Sequence, residues 1–286
     1  MKILYTTDIH GVIWKYEKIF EEAKGLNVDV VINGGDMLPF KGNLLHQDKF
    51  IVNFLDDYFY QFNSLKIYFI CLLGNDDLII HDKLFQDVCD RYSYVIEIAQ
   101  KRCQVKNYEY EFIGMNWVTD LPFGLKDRAR MDNNDFKIPK QIGKAYISTF
   151  NGWIKIDDWA SYIKSLPTIE EEISRLIKPI NKSKAIYIIH QPPSNLGLDV
   201  CHDGRKVGSY SIYKFLLKSQ PLLSLHGHIH ESPEISGNWC SKIKNTISIQ
   251  PGQSSQNENY LIYVFLDLKK MKFMRQIIDK QGKPLL

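Results

Sequence analysis

Lys2-Ile3-Leu4-Tyr5-Thr6-Thr7-Asp8-Ile9-His10 sets a short apolar run directly before an acid and an imidazole. The run over Lys2–Thr6 reads as a short buried strand. The same arrangement recurs four times further along. Residues 28–32 run into Gly34-Gly35-Asp36, and residues 67–72 into Gly74-Asn75-Asp76-Asp77. The run Ala185–Ile189 leads to His190-Gln191-Pro192-Pro193, and residues 222–225 lead to Gly227-His228-Ile229-His230. Each polar cluster therefore stands at the end of a predicted strand, where loops can bring the clusters together.

The intervening segments carry a different period. Residues 13–24 predict an amphipathic helix closed by Gly25, and residues 44–62 and 208–218 predict further helices. Strand, turn and helix in alternation predict parallel βαβ units. In such sheets ligands gather outside the carboxyl ends of the strands, which is where the clusters fall.

The middle of the chain departs from this alternation. Residues 115–152 are polar and irregular, with a Leu121-Pro122-Phe123-Gly124 turn and a charge-rich tract at 127–135. Long loops in compact domains are usually functional or disordered, so this stretch is a candidate for overhanging a site. Lys126, Arg128 and Arg130 within it predict a solvated basic face. Residues 157–177 predict one helix with an acidic middle at Glu170-Glu171-Glu172. The tail predicts antiparallel strands at 243–249, 261–266 and 271–277, with turns at Pro251-Gly252 and Lys269-Lys270. With no repeat, linker or low-complexity tract, residues 1–286 are expected to form one domain.

Composition narrows the function classes. Hydrophobic residues make up 44% of the 286 and aromatics 13%, enough for a substantial core. Thirty-six basic against 33 acidic residues leave a net charge of +3, so bulk electrostatics make no strong case for nucleic acid or for an anionic membrane. Cys71, Cys89, Cys103, Cys201 and Cys240 show no CxxC spacing. That usage predicts no disulfide framework and a reducing compartment. The first residues enter a strand with no signal-peptide h-region, and no apolar run approaches a membrane span, so a cytoplasmic protein is the expectation.

Four Asp, one Asn and four His stand in the five clusters, and no thiolate is among them. Oxygen and imidazole donors of this kind suit a pair of divalent first-row metal ions. Each cluster also has a bland reading. Gly34-Gly35-Asp36 and Asn75 can serve only as turn-formers, and a lone His190 before two prolines can be structural. Jointly, each after an apolar run, the clusters predict a metal site.

In this order the clusters resemble the blocks of the calcineurin-like metallophosphoesterases, the binuclear metallophosphatase superfamily: D-x-H, G-D, G-N-H-[DE], H and G-H-x-H. The match spans residues 8 to 230. The stretch from Pro192-Pro193 through Asp203-Gly204-Arg205 to Gly227-His228-Ile229-His230-Glu231 is similar to the Icc-like phosphohydrolases of bacteria and archaea. Pro251-Gly252 fits their late Asn-Pro-Gly segment, although Gln250 stands where Asn is usual. Residues 115–180 carry no family motif and stand as an atypical insertion.

The resemblance implies an α/β fold, a four-layer α/β/β/α sandwich of two mixed sheets flanked by helices. It implies that Asp8, His10 and His230 hold one metal, that Asp36 bridges, and that Asn75, His190 and His228 hold the other. Mn²⁺ is the expected occupant, although nitrogen and oxygen ligands also accept Fe, Zn, Co, Ni or Mg. The implied chemistry is hydrolysis of a P–O bond by hydroxide held between the ions, without a covalent intermediate.

The third block departs from the pattern. Asp76 stands where many family members have a catalytic His. An aspartate of ordinary pKa is ionised at neutral pH, cannot protonate a leaving group, and repels a dianionic monoester. A preference for phosphodiesters follows, unless Asp76 only orients His190 or Asn75 from outside the ligand shell. Asp77 is a candidate partner for a ligating imidazole, or a helix-capping acid. Arg205 could pair a substrate phosphate, against the simpler ion pair with Asp199 or Asp203. His202 reads as a solvated surface residue. The expected substrate is small, phosphorylated or nucleotide-like. The competing functions are a phosphomonoesterase or nuclease of the same superfamily, and a metal-dependent scaffold or regulator with weak catalysis.

Overall fold

Strand and helix alternate through the first part of the chain in a computed structural model that describes residues 1–119, 122–253 and 259–285. β1 (Lys2–Thr6) is followed by α1 (Ile13–Gly25) and β2 (Val30–Asn33). A 3₁₀ turn (Leu44–His46), α2 (Gln47–Phe50), a π-helical turn (Ile51–Leu55) and α3 (Asp56–Leu65) then run on as one helical stretch to β3 (Tyr68–Cys71). After α4 (Asp82–Cys89) come β4 (Val95–Glu97), β5 (Arg102–Gln104) and β6 (Glu111–Met115). The insertion contributes β7 (Ala145–Thr149), β8 (Gly152–Ile156), α5 (Trp159–Lys164) and α6 (Ile169–Arg175). The last part holds β9 (Ala185–Ile189), α7 (Tyr210–Ser219), β10 (Leu223–Leu225), α8 (Ser232–Ser236), β11 (Cys240–Ile243), β12 (Thr246–Ile249), β13 (Tyr260–Asp267) and β14 (Lys272–Asp279).

Two mixed six-stranded sheets result, in the orders β14-β13-β1-β2-β3-β4 and β11-β12-β10-β9-β6-β5. β1, β2, β3 and β4 run parallel in the first, and β6, β9, β10 and β12 in the second. Strand pleat sends alternate residues to opposite faces. Ile3, Tyr5, Val30, Ile32 and Ile70 thus meet Phe112, Ile186, Ile188, Leu223 and Leu225 between the sheets. Leu4, Val31 and Phe69 pack outward under helical Tyr16, Ile19, Phe59 and Phe62. On the far face Ile113, Ala185 and Ile189 pack against Ile173, Ile212 and Leu216 of α6 and α7. The layers are therefore helix, sheet, sheet, helix, the expected four-layer fold.

Three local expectations need correction. Residues 157–177 form two helices, because Pro167 cannot continue α5 and Thr168 caps α6. Thr168 Oγ1 accepts the Glu171 N–H at 3.2 Å while Glu171 Oε2 accepts the Thr168 N–H at 3.0 Å. Glu170, Glu171 and Glu172 thereby occupy a first turn, where negative charge is favoured. Residues 243–249 are the end of β11, a turn and β12, and the tail is shared between sheets: β12 lies parallel to β10, whereas β13 lies antiparallel to β1.

The third correction concerns Lys126, Arg128 and Arg130, which are buried rather than solvated. Ala129 and Met131 alternate with them and enter a small core with Ala145, Trp159 and Ile163, drawing the basic side chains inward. Buried charge needs partners. Lys126 Nζ lies 4.2 Å from the Trp159 ring centroid, Arg130 stacks 3.8 Å from that of Trp117, and Arg128 is paired with Asp82.

Candidate metal centre

All five clusters converge at one edge of the sandwich. Backbone bonds knit the first two loops: the Asp8 N–H donates to the Gly35 carbonyl and that of His10 to the Asp36 carbonyl, both at 2.9 Å. Across the seam, the His228 N–H donates to Asp8 Oδ1 at 3.0 Å. Asp8, His10, Asp36 and His228 all adopt left-handed backbone, with φ of 57°, 50°, 51° and 71°. L-residues adopt this region at a cost, and several such residues at one place mark a site whose surroundings over-determine the geometry. The glycines answer to space. A Cβ on Gly35 would stand 2.4 Å from His190 Nδ1, and one on Gly74 would stand 2.2 Å from Asp36 Oδ1.

Two donor groups share Asp36. One ligand atom each from Asp8, His10, Asp36 and His230 lies within 4.8 Å of the others. The Nε2 atoms of His10 and His230 face each other at 3.1 Å, and His230 Nε2 is 3.5 Å from Asp8 Oδ1. In the second group Asn75 Oδ1 lies 2.9 Å from His190 Nε2 and 2.7 Å from His228 Nδ1. Asp36 Oδ2 reaches towards both, 4.0 Å from His10 Nε2 and 3.4 Å from His190 Nε2. Inward-facing imidazole nitrogens between two buried carboxylates fit a cation in chemistry and in spacing, since donors opposite each other across an ion bonded at about 2.1 Å stand about 4.2 Å apart.

Proton affinities diverge sharply within the cluster. Burial works against a charged His190, yet Asp36 and Asp8 outweigh it and lift the imidazole to about 9. Burial lowers His10 to about 4 against the pull of Asp36, and lowers His228 to about 3. Asp8 and Asp36 are held below the usual carboxylate range, because the neighbouring imidazoles overcome the burial that would raise them. His190 Nδ1 lies 2.8 Å from the Gly34 carbonyl, which accepts its proton and leaves Nε2 facing the cluster. An outer hydrogen bond of this kind orients a ligating histidine.

The surroundings sort the remaining expectations. Asp76, its side chain 37% exposed, lies beside His10 rather than His190: Oδ2 stands 3.9 Å from His10 Nδ1. Its Oδ1 accepts from Asn75 Nδ2 at 3.1 Å, and its backbone N–H donates to Asp36 Oδ1 at 2.9 Å. Asp77 neither caps a helix nor meets an imidazole. It accepts the N–H groups of Met37, Leu38 and Gly74 at 2.7 to 2.9 Å and so ties two site loops together. Burial and the charge of Asp36 raise its carboxyl to about 7 against those three donors. Arg205 forms an exposed ion pair with Asp203 at 2.6 Å, and His202 is exposed.

Other buried residues brace the site without belonging to the candidate ligand set. Gln250 donates Nε2 to the Gly227 and Ile229 carbonyls, holding the His228–His230 loop from behind. His226 is a buried brace, with Nδ1 2.9 Å from the Ile189 carbonyl and Nε2 2.9 Å from Ser224 Oγ, while Tyr5 donates to its carbonyl. The Phe40 ring, 41% exposed, meets the His10 ring edge-on at 4.7 Å.

A helix–sheet–sheet–helix sandwich with an acid and imidazole cluster at its strand ends defines a metal-dependent hydrolase class. The family model for calcineurin-like phosphoesterases matches residues 1–232, and the chain belongs to that family. No curated protein matches it in sequence. Among solved structures, TT1561 of Thermus thermophilus is similar at 15% identity and TM-score 0.56, covering 96% of this chain and 97% of that one. GAP50, described as the anchor in the inner membrane complex of Plasmodium, shares 14% identity at TM-score 0.53 over 100% and 87% of the two chains. A dimetal phosphatase from Danio rerio shares 8% at TM-score 0.52 over 100% and 98%. No helix among the described residues is long and apolar enough to cross a membrane.

Proposed function

We propose that residues 1–286 form one catalytic domain that hydrolyses a small phosphodiester, nucleotide-like in character, with the help of two divalent ions. The reading is carried by the two donor groups that share Asp36. Asp8, His10 and His230 would hold one ion, Asn75, His190 and His228 the other, and Asp36 would stand between them. Manganese suits this nitrogen and oxygen set, as do its first-row neighbours. When bound, the ions supply Lewis-acid stabilisation of the phosphoryl charge and activation of water.

The protein's own groups do the rest. The Gly34 carbonyl keeps the His190 proton on Nδ1, so Nε2 is presented inward. Asp77 fixes the Asp36 and Asn75 loops at one separation. Asp76 places a carboxylate at the mouth, beside His10 and Asn75. A diester brings one negative charge past it and a monoester brings two, so like-charge repulsion favours the diester. The exposed Phe40 ring offers an apolar surface for an aryl or base group next to the reacting phosphate.

The test compares bis(p-nitrophenyl) phosphate with p-nitrophenyl phosphate, using metal-stripped protein resupplied with Mn²⁺. Diester turnover above monoester turnover, moving towards the monoester in Asp76→His, supports the proposal. Efficient monoester hydrolysis with negligible diester turnover would sink the diester preference. No turnover with any first-row metal would favour a scaffold role on the same fold.

A further inference from the structure

The insertion sends one charged side chain into the floor of the site. Arg128 is fully buried, and its guanidinium makes three directed bonds. Nε donates to the Gly74 carbonyl at 2.7 Å, while the two terminal nitrogens reach Asp82 at 3.2 and 2.5 Å. Gly74 immediately precedes Asn75, and Asp82 begins α4, so this one planar group spans both ends of the loop that carries Asn75 and Asp76. The neighbouring Asp127 holds the loop midway: Oδ2 accepts the Ile79 N–H at 3.0 Å, and Oδ1 accepts the Ser148 N–H of β7 at 2.8 Å.

We propose that Arg128 is a positioning residue that sets the second metal site by fixing the Gly74–Asn75 peptide plane, with Asp127 as its companion. The inference rests on Asn75 being a ligand of the second ion. A peptide unit is rigid, so holding the Gly74 carbonyl also fixes the nitrogen from which Asn75 departs. The arginine fork matches a carboxylate at two points while Nε serves a third acceptor. Lysine carries the same charge on a single nitrogen and cannot bridge Gly74 to Asp82 in that geometry. The bonds of Arg128 go to Gly74 and Asp82, and none goes to Asp8, His10, Asp36 or His230 of the first donor group. The insertion thereby acts directly on the second metal, and on the first only indirectly, through the Asp76 N–H that donates to Asp36 Oδ1.

The experiment is Mn²⁺ titration of the metal-stripped full chain, by calorimetry and by the exchange-coupled signal of a manganese pair in electron paramagnetic resonance. Wild type, Arg128→Lys, Arg128→Ala and Asn75→Ala are compared, with thermal midpoints alongside. Loss of a group that orients a ligand typically costs about 10- to 100-fold in metal affinity. The expected result is that loss at the second ion in Arg128→Lys, with the first ion within about twofold of wild type and the coupled signal reduced. Arg128→Ala should go further, and if it fails to fold Arg128→Lys decides. Unchanged affinities in Arg128→Lys, where Asn75→Ala has lost its second ion, would overturn the positioning role. Equal weakening of both ions in step with the thermal midpoint would overturn it too, as a purely structural effect. Retention of both ions by Asn75→Ala would instead strike the ligand assignment, and the inference would fall with it.

Discussion

Removing the carboxylate of Asp36 should change how the metal-free protein responds to alkali. His190 is buried and held at about 9 in the folded chain, against 6.5 for an ordinary imidazole. Between those values the folded protein binds a proton on His190 that the unfolded chain does not, so stability falls as pH rises. It is fully present below pH 6.5 and lost as pH climbs through about 9. A displacement of that size is worth about 3 kcal/mol, or roughly 5 °C in thermal midpoint at this chain length. Asp36→Asn removes the principal charge supporting that proton. Burial on the His230 imidazole is likewise outweighed, chiefly by Asp8 with a smaller share from Asp36, so most of its slope is common to both proteins. Asp77, raised to about 7 by burial and by Asp36, titrates in the lower part of the window, so the difference between wild type and variant from pH 7.5 to 9 reports chiefly on His190. Urea or thermal unfolding of EDTA-treated proteins at pH 6.5, 7.5 and 9 reads it directly. Manganese affinity should run the opposite way, rising up to tenfold per pH unit for each proton the ion displaces. Parallel stability curves for wild type and Asp36→Asn across this window would refute the His190–Asp36 coupling.

Three further outcomes follow from packing. Gly74→Ala places a Cβ 2.4 Å from the Asp36 backbone nitrogen, so Mn²⁺-dependent turnover should fall at least about 100-fold; Gly25→Ala, with nothing within 4 Å, should stay within about 1 kcal/mol of wild type in urea unfolding. Phe62→Ala removes a fully buried ring that lies 5.0 to 5.1 Å from those of Phe20, Tyr58 and Phe69, and should lower the unfolding free energy by about 3 to 5 kcal/mol with the denaturant slope unchanged. Thr168→Ala opens the capping box of α6 and should cost about 1 kcal/mol by the same assay while leaving metal binding intact.

The parts of this molecule written in local pattern could be read in advance. β1 and β9 have the residue bounds expected of them, because each is an apolar run stopped by a polar cluster. The convergence of the five clusters is legible for the same reason: acids and imidazoles at strand ends are chemically conspicuous. β4 and β5 were hidden by having only three residues each, too few to show a period. β6 was masked by Glu111 at its start and by Gly114, which is required because a Cβ there would lie 2.2 Å from the Ile98 carbonyl oxygen. Which sheet takes β12 and which takes β13 depends on pairings made across long sequence separations, and no local period encodes them. Arg128 escaped for a related reason. A charged residue alternating with Ala129 and Met131 looks like a solvated face until its partners, Gly74 and Asp82, are known from the fold.

The proposed donors divide between the two sheets, and that division says what the site asks of the fold. Asp8, His10, Asp36 and Asn75 follow β1, β2 and β3 of one sheet, whereas His190, His228 and His230 follow β9 and β10 of the other. Neither donor group is complete on one sheet: His230 joins three residues from across the seam, and Asn75 joins two histidines from across it. The polar ties at that edge also cross, from His190 to the Gly34 carbonyl, from the His228 N–H to Asp8, and from Tyr5 to the His226 carbonyl. An ion bound there joins the two sheets, and at 100 times its dissociation constant each would add about 2.7 kcal/mol to the folded state. The apolar layer of Ile3, Tyr5, Ile32, Ile186 and Ile188 sets how closely the sheets approach and so sets the spacing of the donors above it. Slack introduced in that layer, far from any proposed ligand, would reach the donor groups through sheet separation, and tight metal binding should in turn report on the packing of the sandwich.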